Sequence, residues 1–220
     1  VLLIMSQTHR AVAIDGPAAS GKSTVAKRLA ESLGLVMVNS GAMYRAVTWQ
    51  VLQEGIDPEN SAAVREAMSQ MQINCGVRNN LSTISINDRL LTTEIRSSEV
   101  NKHVSKVASI PEVRERLVAM QRDYLGEYDV VMEGRDIGSV VFPDTPFKLY
   151  VSASEEVRAA RRAKEGESDE VAKRDAEDSN REASPLKVAD GAIVIDSSDL
   201  TIDGTVDAAR EALIKLGWKD

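Results

Sequence analysis

The stretch Gly16-Pro17-Ala18-Ala19-Ser20-Gly21-Lys22-Ser23-Thr24 has the residue types and spacing that point most directly to chemistry. Its two flanking glycines let the backbone curl until successive N–H groups converge on an anion. A helix opening at Lys22 adds the partial positive charge of its N-terminus. Lys22 supplies a full charge for β- and γ-phosphates, and Ser23 offers a hydroxyl to an accompanying Mg²⁺. The bare pattern also arises by chance. Here a β run, Ala11 to Asp15, precedes it, and a helix follows with Val25, Leu29 and Leu33 at four-residue spacing and Gly34 as its stop. The stretch therefore reads as a nucleoside triphosphate cradle.

The acceptor of the phosphate is the next question. A GTPase needs Asn-Lys-x-Asp to read guanine, and Asn101-Lys102-His103-Val104 lacks the Asp. A kinase of a small acceptor fits 220 residues, and it needs a second anion site facing the first. Ligands of such sheets bind at the carboxyl ends of strands. The second β run ends in Ser40-Gly41-Ala42-Met43-Tyr44-Arg45, and a later one in Glu133-Gly134-Arg135-Asp136. Each sets an arginine beside a small, flexible turn, as a phosphate clamp requires. Glu133 is placed to hold Mg²⁺ through water opposite Ser23. Taken singly, these arginines also fit ordinary surface ion pairs, and Glu133 an ordinary strand-end carboxylate.

The elements that must position these residues alternate. β runs are predicted at 11–15, 36–39, 129–132, 147–151 and 192–196, with helical periodicity between them. Pro58 is expected to open a helix that runs to Gln70. Residues 70–95 break the pattern: Ile73, Cys75 and Val77 alternate, Asn79-Asn80 turns the chain, and Ile84 and Ile86 alternate. This reads as an antiparallel hairpin inserted in one 1–220 domain. The expected class is α/β, a parallel sheet flanked by helices, of the P-loop kinase type with a β insertion and a helical lid.

Composition sets limits on this reading. Lys and Arg number 27 against 34 Asp and Glu, a formal charge of -7, which disfavours long nucleic acid as a partner. The single cysteine, Cys75, allows no internal disulfide and no cysteine-built metal site. The apolar opening Val1–Met5 is too short for a signal-peptide core or a membrane span, so a soluble cytoplasmic protein with no membrane partner is expected. Residues 155–182 carry seven cations and ten carboxylates, with Val157 and Val171 as their only large apolar side chains. Such a segment is either a solvated helix pair or a lid that closes over a polyanion.

The loop GPAASGKST, the segment NSGAMYR, the insertion ending TEIRSSEV, the run VSKVASIPEVRE, the segment EGRDIGSVVFPDT and the late RDAEDSNR together resemble the bacterial cytidylate kinases. The resemblance spans residues 11 to about 210. It implies ATP as donor, CMP or dCMP as acceptor, and Mg²⁺ travelling with ATP. It further implies that Ser40, Arg45 and Arg135 hold the CMP phosphate and sugar, and that Ser105, Arg114 and Asp136 read cytosine. Arg174, Asp178 and Arg181 match lid-side positions that reach the sugar and the transferring phosphate, and Arg158 and Arg162 match positions near the ATP phosphates. The catalytic set implied is Lys22, Arg135, Arg174 and Arg181. Residues 70–95 match an extra small sheet that helps close over the monophosphate. Two departures stand out: a short lid with an acidic tip at 165–170, and Glu133 where some relatives carry Asp. A monomer is expected. The rival readings are a shikimate- or gluconate-type kinase and a nucleotide-binding module without turnover.

Overall fold

The computed structural model describes residues 9–164, 171–181 and 184–219, the side chains of 171–174 excepted. Chain order runs β1 (Ala11–Asp15), α1 (Lys22–Leu33), β2 (Val36–Asn39), α2 (Ser40–Gln53), α3 (Ser61–Gln70), β3 (Ile73–Arg78), β4 (Leu81–Ile86), β5 (Arg89–Leu91), α4 (Ser98–Ala108) and α5 (Pro111–Asp123). It continues through β6 (Val130–Gly134), β7 (Lys148–Ser152), α6 (Glu155–Lys164), α7 (Val171–Ser179), β8 (Ile193–Asp196) and α8 (Ile202–Lys215). The sheet order is β3-β4-β2-β6-β1-β7-β8, with β5 paired to β4. From β2 to β8 every neighbouring pair is parallel.

Position in the sheet explains why the strands read as they do. β1 and β6 lie in its middle and are buried on both faces, so both are almost continuously apolar, except at Asp15 and Glu133. Strand β8 lies at the edge, and three of its four residues keep solvent contact. On one face α1 and α8 bury Val25, Leu29, Ala209 and Leu213 against Val12, Ile14 and Leu149. On the other, Val38, Met132 and Ile137 pack with Val118 and Tyr124. A third cluster joins α2 to α5 with the insertion, through Val47, Val64, Ile84, Val104 and Leu117. Fully burying each such side chain contributes about 1.5–3 kcal/mol.

Two local expectations need correction. Pro58 does not open α3: it lies in a turn where Asn60 N donates to Asp57 O at 2.9 Å, and Asn60 then caps the helix by accepting from Ala63 N at 3.1 Å. A side-chain cap satisfies an orphan amide that proline at the first position leaves open. The insertion is a three-stranded antiparallel meander, not a hairpin, and it joins the main sheet where Met37 pairs with Leu81. Its two turns, Asn79-Asn80 and Asn87-Asp88, have positive φ at both central residues, the geometry that matches strand twist in tight hairpins. Between β6 and β7 a π-helical turn, Ile137–Val141, appears that no periodicity announced.

Candidate active site

The phosphate loop leaves β1 at Gly16, whose φ of +153° suits glycine, and a Cβ there would stand 2.1 Å from the Val151 carbonyl oxygen. Only glycine fits so close to the neighbouring strand. Ala19 adopts φ 57°, and Gly21 caps α1 with φ 89°. Five other helices begin under a side-chain oxygen, from Asn39, Asn60, Ser97, Ser154 and Thr201. α1 has no such cap, which leaves its first amides for an anion at the cleft. Lys22 is buried and folds over its own loop, donating from Nζ to the Pro17 carbonyl at 3.0 Å. Ser23 Oγ donates to Glu133 Oε1 at 2.8 Å, which brings the hydroxyl and the carboxylate together at the mouth of the loop.

Behind the loop stand two arginines of α6. Arg158 is buried, with its guanidinium committed to the Ala153 carbonyl at 2.9 Å, the Ala18 carbonyl at 3.4 Å and the Asp175 carboxylate at 2.5 Å. It therefore braces the loop, and it does not line the cleft as Arg162 does. Arg161, which the sequence reading passed over, donates to Ala19 O at 3.3 Å and to Ser197 O at 2.9 Å. Its spacing from Arg158 and Arg162 puts all three on one helical face, the signal that was available.

The side of the cleft around β2 and β6 is assembled by a close crossing. Ser40 Oγ donates to the Glu133 carbonyl at 2.8 Å, and a Cβ on Gly134 would come within 2.5 Å of that hydroxyl. Arg135 Nε donates to Asp178 Oδ2 at 2.7 Å, and Asp178 also pairs with Arg181. Burial works against the Arg135 charge, but Asp178 and Glu133 more than offset it. Burial likewise pulls Arg181 down from its ordinary value, and the nearby Arg114 and Arg135 charges add to this. Arg114 and Asp136 form a buried pair, with Arg114 also bonded to the Ala108 carbonyl at 3.2 Å and lying over the Tyr44 ring. Nε of Arg114 is buried with no acceptor among the described residues. Arg45 bonds Asn101 and the Ile95 carbonyl, and Ser105 is buried beside them.

Asp15, also unremarked in the sequence reading, accepts from Ile137 N at 2.7 Å and Gly138 N at 2.8 Å. Burial pushes its carboxyl up to about 6, against those two N–H groups, with Asp136 raising and Lys22 lowering it.

These residues enclose a cleft of about 380 Å³. Among the described residues its lining includes seven cations (Lys22, Arg45, Arg96, Arg114, Arg135, Arg162 and Arg181) against three carboxylates (Glu133, Asp136 and Asp178). An excess of four positive charges inside a chain of net charge -7 is a site for a polyanion. Gly16, Pro17 and Ser20 shape the loop from outside the lining, whereas Ala18, Ala19, Gly21, Thr24, Ser40 and Ser105 contribute to it. The Arg174 side chain, the lid tip at 165–170 and residues 182–183 lie outside the described residues. Cys75 and His103 are not among the cleft residues, and His103 faces Glu99 at 3.8 Å.

The sequence model of a family described as cytidylate kinase matches residues 12–215. A cytidylate kinase of Clostridium botulinum strain Langeland is 43% identical over 207 residues, covering 89% of this chain and 94% of that one. One of Streptococcus thermophilus LMD-9 is 42% identical over 217 residues, covering 93% and 96%. Among solved structures, an unliganded sugar kinase from Janibacter sp. HTCC2649 superposes with a TM-score of 0.50 at 15% identity, covering 94% of this chain and 95% of that one. At that identity the likeness is one of fold.

Proposed function

This chain belongs to the cytidylate kinase family, transferring a phosphoryl group from ATP to CMP or dCMP, and from that premise we propose how its own residues divide the work. The observation that carries the reading is the cleft itself, in which an uncapped helix start and an arginine cluster face one another across Glu133.

On the donor side the loop 16–24 wraps the ATP phosphates, and Lys22 turns from the Pro17 carbonyl to their β- and γ-oxygens. Arg162 approaches them from α6, while Arg158 and Arg161 keep the loop in shape. The pair formed by Ser23 and Glu133 presents hard oxygen donors beside the phosphate cradle, which fits Mg²⁺. Ser23 would hold it directly and Glu133 through water. Bound there with ATP, it would neutralise charge on the β- and γ-phosphates.

On the acceptor side Arg45, Arg135 and Ser40 hold the CMP phosphate, and Asp178 with Arg181 reaches its sugar and the transferring group. Ser105, Arg114 and Asp136 read the base. The Asp136 carboxylate accepts from the exocyclic amine of cytosine, and Arg114 donates toward N3 and O2. Uracil instead sets a carbonyl against the carboxylate, and a buried acceptor left unpaired costs about 1–3 kcal/mol. Transfer itself is positioning and charge neutralisation, because the acceptor phosphate is already ionised at neutral pH. Residues 155–182 act as the lid, with Arg174 on its second helix, and residues 70–95 help cover the monophosphate. The named relatives' activity supports a role in pyrimidine nucleotide supply, and the reading extends to a monomeric cytoplasmic enzyme.

Asp136→Ala tests this assignment. Its kcat/KM for CMP should fall by about 1–3 kcal/mol in transition-state terms, and the preference over UMP should narrow by a similar factor. An unmoved CMP:UMP ratio would mean that Asp136 does not read the base.

A further inference from the structure

Arg135 and Asp136 form a two-residue arch between two anchors. On one side Gly134 is held in the sheet, paired in register with Asp15. On the other side the chain is caught immediately, because Ile137 N and Gly138 N both donate to the Asp15 carboxylate, one to each oxygen. These are the first amides of the Ile137–Val141 turn, groups that have no partner within it. The turn is completed when Val140 N and Val141 N bond the Asp136 carbonyl, at 2.9 and 3.2 Å. The residue that carries both anchors is also the one before Gly16, where the phosphate loop begins. The surroundings leave little slack: a Cβ on Gly138 would stand 3.3 Å from Asp15 Oδ2, and equally close to Ala189 Cβ and Lys148 Cδ.

We propose that Asp15 is a positioning residue for base choice, fixing the 135–138 arch so that Asp136 meets the cytosine edge and tying that arch to the start of the donor loop. It touches neither substrate. A carboxylate is needed because both oxygens accept; an asparagine sets an amide N–H against one of the two backbone donors. This inference rests on the reading of Asp136 as a base-reading residue.

A double-mutant cycle tests it. Asp15→Asn should lower kcat/KM for CMP and narrow the CMP:UMP ratio by about tenfold each, with KM for ATP within about twofold of wild type. In an Asp136→Ala background the same change should cost less than about twofold, because the group it positions is gone. A residue that merely holds the fold would cost the same factor in both backgrounds, and that result overturns the proposal while leaving the base-reading assignment intact. If Asp136→Ala by itself leaves the CMP:UMP ratio unmoved, both fall together. Gly138→Ala, whose Cβ meets Asp15 Oδ2 together with Ala189 Cβ and Lys148 Cδ at 3.3 Å, displaces the arch with the carboxylate retained, and it should narrow the ratio in the same non-additive way. Should Asp15→Asn not fold, the Gly138→Ala cycle decides, and additive losses there overturn the proposal.

Discussion

Lys22→Ala should reduce kcat by about a thousandfold, the scale on which one charge aimed at a transferring phosphoryl group acts in a water-poor site. The side chain lines the cleft, next to Ser23 in the chain, and its ammonium donates to the Pro17 carbonyl. Its loss removes a full positive charge from the donor loop and leaves the acceptor arginines in place. CMP binding, followed by calorimetry, should therefore persist while turnover collapses. The fold should survive, since no core side chain is removed. Turnover near that of the unsubstituted protein would show that the triphosphate lies elsewhere.

Arg135→Ala should be nearly as damaging to kcat, with a loss on the order of a thousandfold and little change in KM for ATP. Arg135 lines the cleft, in the chain between Glu133 and Asp136, and in the proposed division of work its charge meets the transferring group. Arg135→Lys should recover only part of the rate, because a point charge cannot reproduce two parallel N–H bonds. The alanine variant also leaves buried Asp178 with one partner fewer, which should lower folding stability by about 1–3 kcal/mol in urea unfolding. A variant that raises KM for ATP while keeping kcat would move Arg135 to the donor side.

What could be read in advance depended on whether a residue's partner has a sequence signature. The loop from Gly16 to Ser23 was legible because glycine spacing, strand and helix all lie within one short stretch. The meeting of Ser23 with Glu133, 110 residues apart, was legible because the loop leaving β1 and the end of β6 lie at the same carboxyl edge of one parallel sheet. The Arg114–Asp136 pair came only through family resemblance, since α5 and the arch after β6 carry no local sign of each other. Asp15 was missed because its partners are backbone amides, which any residue supplies. Strand β5 is three residues long with two exposed, too short for alternation to register. For Arg158 the resemblance implied a place near the ATP phosphates, and its position on α6 brings it to the Ala18 carbonyl and Asp175, behind the loop.

The most direct test of the whole account is ADP release with a panel of acceptors: CMP, dCMP, UMP, AMP and shikimate, each with ATP and Mg²⁺. CMP and dCMP should turn over, UMP should trail CMP by about 1–3 kcal/mol in kcat/KM, and shikimate should give no release above the ATP blank. Turnover of shikimate or AMP at or above the CMP rate would contradict the account, since neither presents the cytosine edge that Arg114 and Asp136 are proposed to meet.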